Sequence, residues 1–335
     1  MIKIIWGVVV CVVIVAVAII YLWHDFQRFA HSPLNAGAAD QVFAIDQGQY
    51  FEKVAQNLQA EGLTASAPKL QLLARLNGWD RQVQAGEYLL SAGMTPLEML
   101  DAMVTGKVLL YRVTIPEGYT LAQIAQAVET AGLSPAGQVL AAARRTSLLQ
   151  RLGIDTESAE GYLFPDTYLF ARNASATEIV DTMVARFEAV YEPAFEVRAD
   201  ELGLTRHEVV TLASIVEKES GNVSEQPRIA SVFHNRLEHR MRLESDPTVI
   251  YGLGDEFDGN LTRKHLRSPN VYNTYTTAGL PPGPIASPGK TALKAVLFPE
   301  ESAFLFFVSK NDGSHYFSKT LAEHNRAVRR YQLSD

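Results

Sequence analysis

An almost unbroken apolar run from Ile4 to Trp23 constrains this chain before anything else. Twenty residues of helix span about 30 Å, the thickness of a bilayer's hydrocarbon core. Trp6, Tyr21 and Trp23 stand near its ends, where amphipathic rings favour the membrane interface. A cleaved signal peptide is the competing reading. Its apolar region is usually only about 7–15 residues long, with a small-residue cleavage site close behind. Here His24, Asp25, Phe26 and Gln27 follow, and Ala36, Ala38 and Ala39 come late. A retained single-pass anchor over 1–24 is therefore expected. Lys3 and the amino terminus mark the short side as positive, which predicts that the bulk of the chain lies outside. No second run approaches this length, so the rest must fold in water.

At 335 residues the chain exceeds one compact core and suits an anchor plus about two domains. Charged residues at 20% and hydrophobic residues at 47% describe a folded protein, not a disordered one. A net charge of -7 leaves no electrostatic footprint for DNA or RNA, so no nucleic-acid partner is expected. The single cysteine, Cys11, lies inside the anchor. The soluble part thus has no disulfide and no cysteine metal ligand, which suits a periplasm without requiring one. His234 and His239 are five apart, off one helix face, so no metal site is expected. Gly-x-Ser-x-Gly, phosphate-loop and dinucleotide fingerprints are absent, and no cofactor is expected.

Residues 25–41, with Pro33, Gly37 and several alanines, read as a linker. Beyond them the chain resembles itself at a spacing of 70 residues. Phe43-Ala-Ile-Asp-Gln-Gly48 matches Val113-Thr-Ile-Pro-Glu-Gly118, and Phe51, Val54, Ala55, Leu58, Gly62 and Leu63 match Leu121, Ile124, Ala125, Val128, Gly132 and Leu133. Each copy predicts a strand, a glycine turn, an amphipathic helix and a glycine C-cap. A helix from Pro68 to Leu76 and a strand at Gly86–Leu90 complete a strand-helix-helix-strand order after the first copy. That order, with the segment QAGEYLLSAGMTPLEML, resembles the LysM module, whose members bind N-acetylglucosamine-containing glycans. A small spacer domain without a ligand accounts for the same elements equally well. The region 42–138 is grouped on this basis, and 139–335 reads as mostly helical. Helical periodicity covers Thr205–Glu219, Gln226–Leu237 and Lys319–Tyr331. Asn311-Asp312-Gly313 predicts a hairpin between 303–309 and 314–317. The run from Tyr272 to Gly289, rich in proline and glycine, predicts a stiff irregular loop suited to wall a cleft.

In the segment HEVVTLASIVEKESGN, residues Val209, Leu212, Ala213, Ile215 and Val216 gather on one helix face. Glu219 follows Leu212, Ile215 and Val216 at seven, four and three residues, which puts it at the edge of that stripe. Glu217 lies farther round and Lys218 points away. A carboxyl group against apolar neighbours has a raised pKa, as a general acid near neutrality needs. Periodicity alone fits a solvated helix-end glutamate at least as well. Asp246, before Pro247, reads as the N-cap of a turn, and Asp166 and Glu160 read as turn or cap residues. Asn235, Arg236, Thr248, Tyr251, Tyr272, Asn273, Thr274 and Tyr275 are amide, hydroxyl, cationic and aromatic groups suited to line a sugar cleft. Asn273 is the strongest of these candidates, and Arg236 doubles as an ordinary salt-bridging residue.

EGYLFPDTY, ASIVEKES, ASVFHNRL, MRLESDPTVIYGLG, YNTY and GLPPGPIASPG follow one another in this order. Together they closely resemble the MltG/YceG-like endolytic murein transglycosylases, from about Val42 to Tyr331. The resemblance implies an α+β chain: a transmembrane helix, a LysM-like module, then a mostly helical catalytic domain with a small β-hairpin. It implies a lyase that cleaves the β-1,4 bond between N-acetylmuramic acid and N-acetylglucosamine and leaves a 1,6-anhydro end. The family's catalytic glutamate, the second of its E-K-E triplet, falls on Glu219. Asn235, Thr248, Tyr251, Tyr272, Asn273, Thr274 and Tyr275 are then expected to bind substrate, with no metal and no cofactor. The expected setting is the inner membrane, the catalytic domain in the periplasm, with peptidoglycan glycan strands as substrate and peptidoglycan synthases as neighbours. Two alternatives remain: a non-catalytic glycan-binding scaffold of the envelope, and a glycoside hydrolase using Glu219 with Asp246.

Overall fold

The computed structural model describes residues 2–333. The chain divides into two compact units, 1–111 with 171–173, and 112–170 with 174–335.

The first helix, α1 (Ile2–His31), is apolar around its whole circumference from Ile4 through Trp23. Its side chains there meet no protein: Ile4 is 72% exposed and Tyr21 71%. It is long and apolar enough to cross a membrane, consistent with a single-pass anchor. The helix does not stop where the sequence suggested a linker. It continues to His31 because Phe26, Phe29 and Ala30 recur at helical spacing and find a partner surface. Phe26 and Ala30 are buried in the first unit's core, with Phe29 packed beside them. Lys69 Nζ meets Asp25 at 2.6 Å and lies over the Phe29 ring. Pro33 then ends the helix.

The rest of the first unit runs β1 (Gln41–Ile45), α2 (Phe51–Ala60), α3 (Ala67–Leu76), β2 (Gly86–Leu90) and α4 (Pro96–Val104). Strands β1 and β2 pair antiparallel, Phe43 opposite Tyr88. The strand-helix-helix-strand order expected from the sequence is therefore present. Val54, Leu58, Leu70, Tyr88, Leu90 and Leu100 form a core without solvent access. The buried Tyr88 hydroxyl donates to the Gln84 carbonyl at 2.7 Å, which offsets its desolvation.

The second copy of the repeat opens the second unit, so the units divide inside the grouping 42–138 suggested by the repeat. It is built like the first: β3 (Leu110–Thr114), α5 (Leu121–Thr130) and α6 (Ala136–Ala143), then α7 (Thr146–Leu152) and β4 (Thr167–Ala171). β3 pairs with β4, as β1 pairs with β2. The aligned glycines share a conformation: Gly48 and Gly118 have φ of 78° and 75°, and Gly62 and Gly132 have 73° and 69°. Those left-handed positions explain why the repeat keeps glycine there. The strand β4 was hidden in a stretch that reads as helical, because four or five residues show little period of their own.

Then come α8 (Ala176–Val190), α9 (Pro193–Leu202), α10 (Arg206–Glu219), α11 (Gln226–Glu238), α12 (Asp246–Leu253), α13 (Lys290–Leu297), the hairpin β5 (Phe306–Ser309) and β6 (His315–Ser318), and α14 (Leu321–Tyr331). Thr205 with Glu208 and Thr320 with Glu323 form capping boxes that start α10 and α14. The expected turn at Asn311-Asp312-Gly313 is made, with Asn311 and Gly313 at positive φ. The run from Tyr272 to Gly289 has no helix or strand. Helix α10 packs against α9, α11, α12 and α13. It is buried on more than its apolar stripe, since Val210, Thr211 and Ser214 are as inaccessible as Val209 and Leu212.

Candidate active site

Helix α10 ends on Glu219, and what surrounds that end comes from far along the chain. A cavity of about 480 Å³ is lined by Glu219, Arg236, Glu244, Asp246 and Tyr275, and by residues of β5, β6 and α14. Glu219 has intermediate exposure. Burial pushes its carboxyl up to about 7, and the charge of Asp246 adds to this; a hydrogen bond from Ser245 and the charge of Arg236 oppose it. The group is thus poised to exist in both protonation states near neutrality, which one residue acting first as acid and then as base requires.

Ser245 Oγ donates to Glu219 Oε1 at 2.5 Å. Ser245 occupies the N-cap position of α12, yet its side chain makes no cap bond there. Its backbone is held instead by two buried threonines. Ser245 N–H donates to Thr274 Oγ1 at 2.9 Å, the two threonine hydroxyls meet at 2.8 Å, and Thr248 Oγ1 donates to the Ser245 carbonyl at 2.7 Å. If each hydroxyl donates once, the circuit closes with Thr274 donating to Thr248. Glu244, just before Ser245, lies at φ 50°, a region uncommon for non-glycine residues. Asp246 is not the N-cap that the sequence suggested; it is the first residue of α12, and its carboxylate accepts from Tyr275 Oη at 2.7 Å. The cavity is thus lined by three acidic side chains, Glu219, Glu244 and Asp246.

Arg236 is buried and gives its guanidinium to carbonyls, Leu305 at 2.7 Å and Leu243 at 2.8 Å, with Glu244 at 3.4 Å. It ties β5 to the turn before Ser245. His315 Nδ1 lies 2.8 Å from Glu225, and His324 stacks on Phe306; burial holds the His324 ring below its usual range. Ser245, Glu244, His315 and His324 were missed from sequence. The one available signal was the serine directly before Asp246-Pro247, an N-cap in form.

The expected substrate-binding residues disperse. Only Tyr275 lines the Glu219 cavity. Tyr251 and Tyr272 line a separate cavity, their rings 4.8 Å apart. Thr248 and Thr274 are the buried pair that hold Ser245. Asn273 has no exposed surface; its Nδ2 donates to the carbonyls of Ser268 at 2.8 Å and of His265 and Leu266 at 3.3 Å, and its Oδ1 accepts from Tyr275 N–H. It shapes the loop that presents Tyr275. Asn235 Nδ2 donates to the carbonyls of Ser302 and Phe304, both at 2.9 Å, which anchors the approach to β5. These amides and hydroxyls are spent on backbone because irregular buried loops must pair their carbonyls somewhere.

Glu217 is not solvated either. It accepts from Gly289 N–H at 3.0 Å, and burial raises its pKa. Lys218 Nζ reaches the Gly118 carbonyl at 3.2 Å. Asp166 accepts from Thr167 N–H and Arg186, as a strand-end residue. Glu160 accepts from Leu121 N–H at 2.9 Å and so caps α5 from a distance. His234 and His239 bond to the carbonyls of Val296 and Asn235. Among the described residues no group of three or more His, Cys, Asp or Glu is placed to hold a metal ion.

The model of the YceG-like family matches residues 43–330. A Bacillus subtilis protein named endolytic murein transglycosylase is 31% identical over 303 residues, which cover 86% of this chain and 83% of that one. A protein of the same name from Streptococcus pneumoniae is 28% identical, over 92% of this chain and 61% of its own length. Among solved structures, a yceG-like protein from Listeria monocytogenes superimposes with a TM-score of 0.60 at 32% identity, over 87% of this chain and 100% of that one.

Proposed function

This chain belongs to the YceG-like family, and on that premise we propose that it is an endolytic murein transglycosylase, a lyase that cuts peptidoglycan glycan strands. The observation that carries the chemistry is the Glu219 carboxyl, pushed up to about 7 at the end of a buried helix and open to a cavity of about 480 Å³.

Protonated Glu219 gives its proton to the oxygen bridging N-acetylmuramic acid C1 and N-acetylglucosamine C4. The C1–O bond breaks, the glucosamine hydroxyl leaves, and positive charge develops at C1. Asp246, held by a hydrogen bond from Tyr275, stabilises that charge. Glu219, now a carboxylate steadied by Ser245, takes the proton of the muramyl C6 hydroxyl. The C6 oxygen closes on C1 as the 1,6-anhydro ring, and Glu219 is again protonated. No water is consumed. Hydrolysis with Asp246 as the second carboxylate is the competing reading, and that carboxylate's presence in the cavity favours keeping it in the test. Analysis of products from isolated peptidoglycan separates the two: anhydro ends are expected, while reducing ends in their place would make the enzyme a hydrolase, and no new ends would make it a binder.

The remaining expectations belong to the same proposal. α1 is retained as an inner-membrane anchor, with the catalytic unit in the periplasm beside peptidoglycan synthases. The strand-helix-helix-strand element of the first unit supports a LysM-like, glycan-holding role. Amino-terminal sequencing of membrane-purified protein should return the residues before Ile4; a chain beginning near Ala39 would overturn the anchor.

A further inference from the structure

The second cavity, of about 490 Å³, takes no part in the chemistry above and has no lining residue in common with the Glu219 cavity, yet two elements contribute to both. Helix α12 gives Asp246 to one and Tyr251 to the other. The turn through Asn273 gives Tyr275 to one and Tyr272 to the other. From Asp246 to Tyr251 the helix rises roughly 8 Å, on the scale of a sugar residue or two.

Its walls are set in advance of any ligand. The Pro282 carbonyl lies 2.9 Å from His207 Nε2, and His207 Nδ1 lies 3.0 Å from the hydroxyl of buried Tyr162. Pro284 rests on Gly161, where φ is 82° and an added Cβ would come within 2.5 Å of the proline ring. Only glycine lets that wall approach. The Tyr251 and Tyr272 rings meet at 59° and form an aromatic corner, neither ring fully buried. Tyr251 Oη donates to Glu160 Oε2 at 3.2 Å, which fixes the ring. Arg144 and Glu157 bring opposite charges to the same lining. A pyranose presents an apolar face of C–H groups and a rim of hydroxyl and amide groups, and the corner and its lining match both.

We propose that the cavity of Tyr251, Tyr272 and Pro284 is a second saccharide-binding site, which holds a pyranose of the glycan strand away from the bond being cut. This rests on the reading of Glu219 as a glycan-cleaving acid. A preformed site beside the chemistry adds affinity for long strands over short ones, because only a long strand fills both.

The test uses the full chain in detergent micelles. Anhydro-end formation is measured on long peptidoglycan strands and on the shortest oligosaccharide that the wild type cuts. Tyr272→Leu keeps apolar bulk beside Tyr251 and removes the aromatic face. It should lower the ratio of kcat/KM for long over short substrate roughly three- to tenfold, while Tyr272→Trp holds the ratio at or above wild type. An equal fall on both substrates would mean that Tyr272 only supports the fold around Tyr275, and would overturn the site. Wild-type protein that forms no anhydro ends would sink the transglycosylase reading by itself. In that event N-acetylchitotetraose titrated onto the wild type and Tyr272→Leu decides the site alone: weaker binding to the variant supports it, and equal binding overturns it.

Discussion

Ser245 Oγ lies 2.5 Å from Glu219 Oε1, across 26 residues of sequence, and gives the helix-end carboxyl its side-chain hydrogen-bond donor. The serine forgoes capping α12 to do so, and the Thr248–Thr274 pair holds its backbone in place. A carboxyl desolvated by burial would otherwise favour the neutral form strongly. The hydroxyl steadies the anion and brings the pKa back toward neutrality.

Glu219→Gln keeps size and the acceptor for Ser245 but has no proton to transfer. Anhydro ends should fall by at least about 10²–10⁴-fold, with the melting temperature little changed. Glu217→Gln keeps an acceptor for Gly289 N–H and should retain activity. If Glu217→Gln is the dead variant instead, the acid has been assigned to the wrong carboxylate.

The pH profile should report the neighbours of Glu219. The required acid is lost as pH rises through about 7, so kcat/KM should decline there. Removing Ser245's donor with Ser245→Ala raises the Glu219 pKa and moves this limb to higher pH. Asp246→Asn removes a like charge and moves it to lower pH. Limbs that stay in place in both variants would show that another group titrates.

Glu160 is buried and pushed up to about 7 by desolvation. Its folded pKa lies above the unfolded value, so its contribution to stability is fully present below about 4.5 and is lost as pH rises through about 7. Glu219 acts in the same direction. Melting temperature should therefore drop between about pH 5 and 8, and Glu160→Gln should remove part of that drop, up to about 3 kcal/mol at the alkaline end. An unchanged slope in Glu160→Gln would mean that the carboxyl is ionised at its ordinary pKa.

Asn235→Leu leaves the carbonyls of Ser302 and Phe304 without their donor. Denaturant unfolding should show a loss of about 1–3 kcal/mol, while KM for glycan at permissive temperature stays within twofold. A selective rise in KM without loss of stability would return Asn235 to the substrate cleft.

Several features were legible in the residues alone, each for a local reason. The run Ile4–Trp23 is long and apolar enough to cross a membrane, 3.6-residue periods mark α10 and α11, and Asp312-Gly313 marks a turn. The paired glycines of the repeat mark left-handed positions that no other residue fills easily. Glu219 stood at the edge of an apolar stripe, a position that fits a solvated helix end as well as a desolvated one, and only the packing around the end of α10 decides for desolvation. The partners of Glu219 were not legible, because a side chain's type does not say whether its hydrogen bonds go to a ligand or to buried backbone. Asn273 and Thr248 have the chemistry of sugar binders, but folding buries them and spends their polar groups on carbonyls and hydroxyls nearby. Ser245 has the form of an ordinary N-cap, and only the approach of α12 to the end of α10 turns its hydroxyl to the carboxyl. Which polar groups face the cavity is decided by long-range packing among α10, α12, the Tyr272–Gly289 run and the β5–β6 hairpin, and no local pattern encodes it.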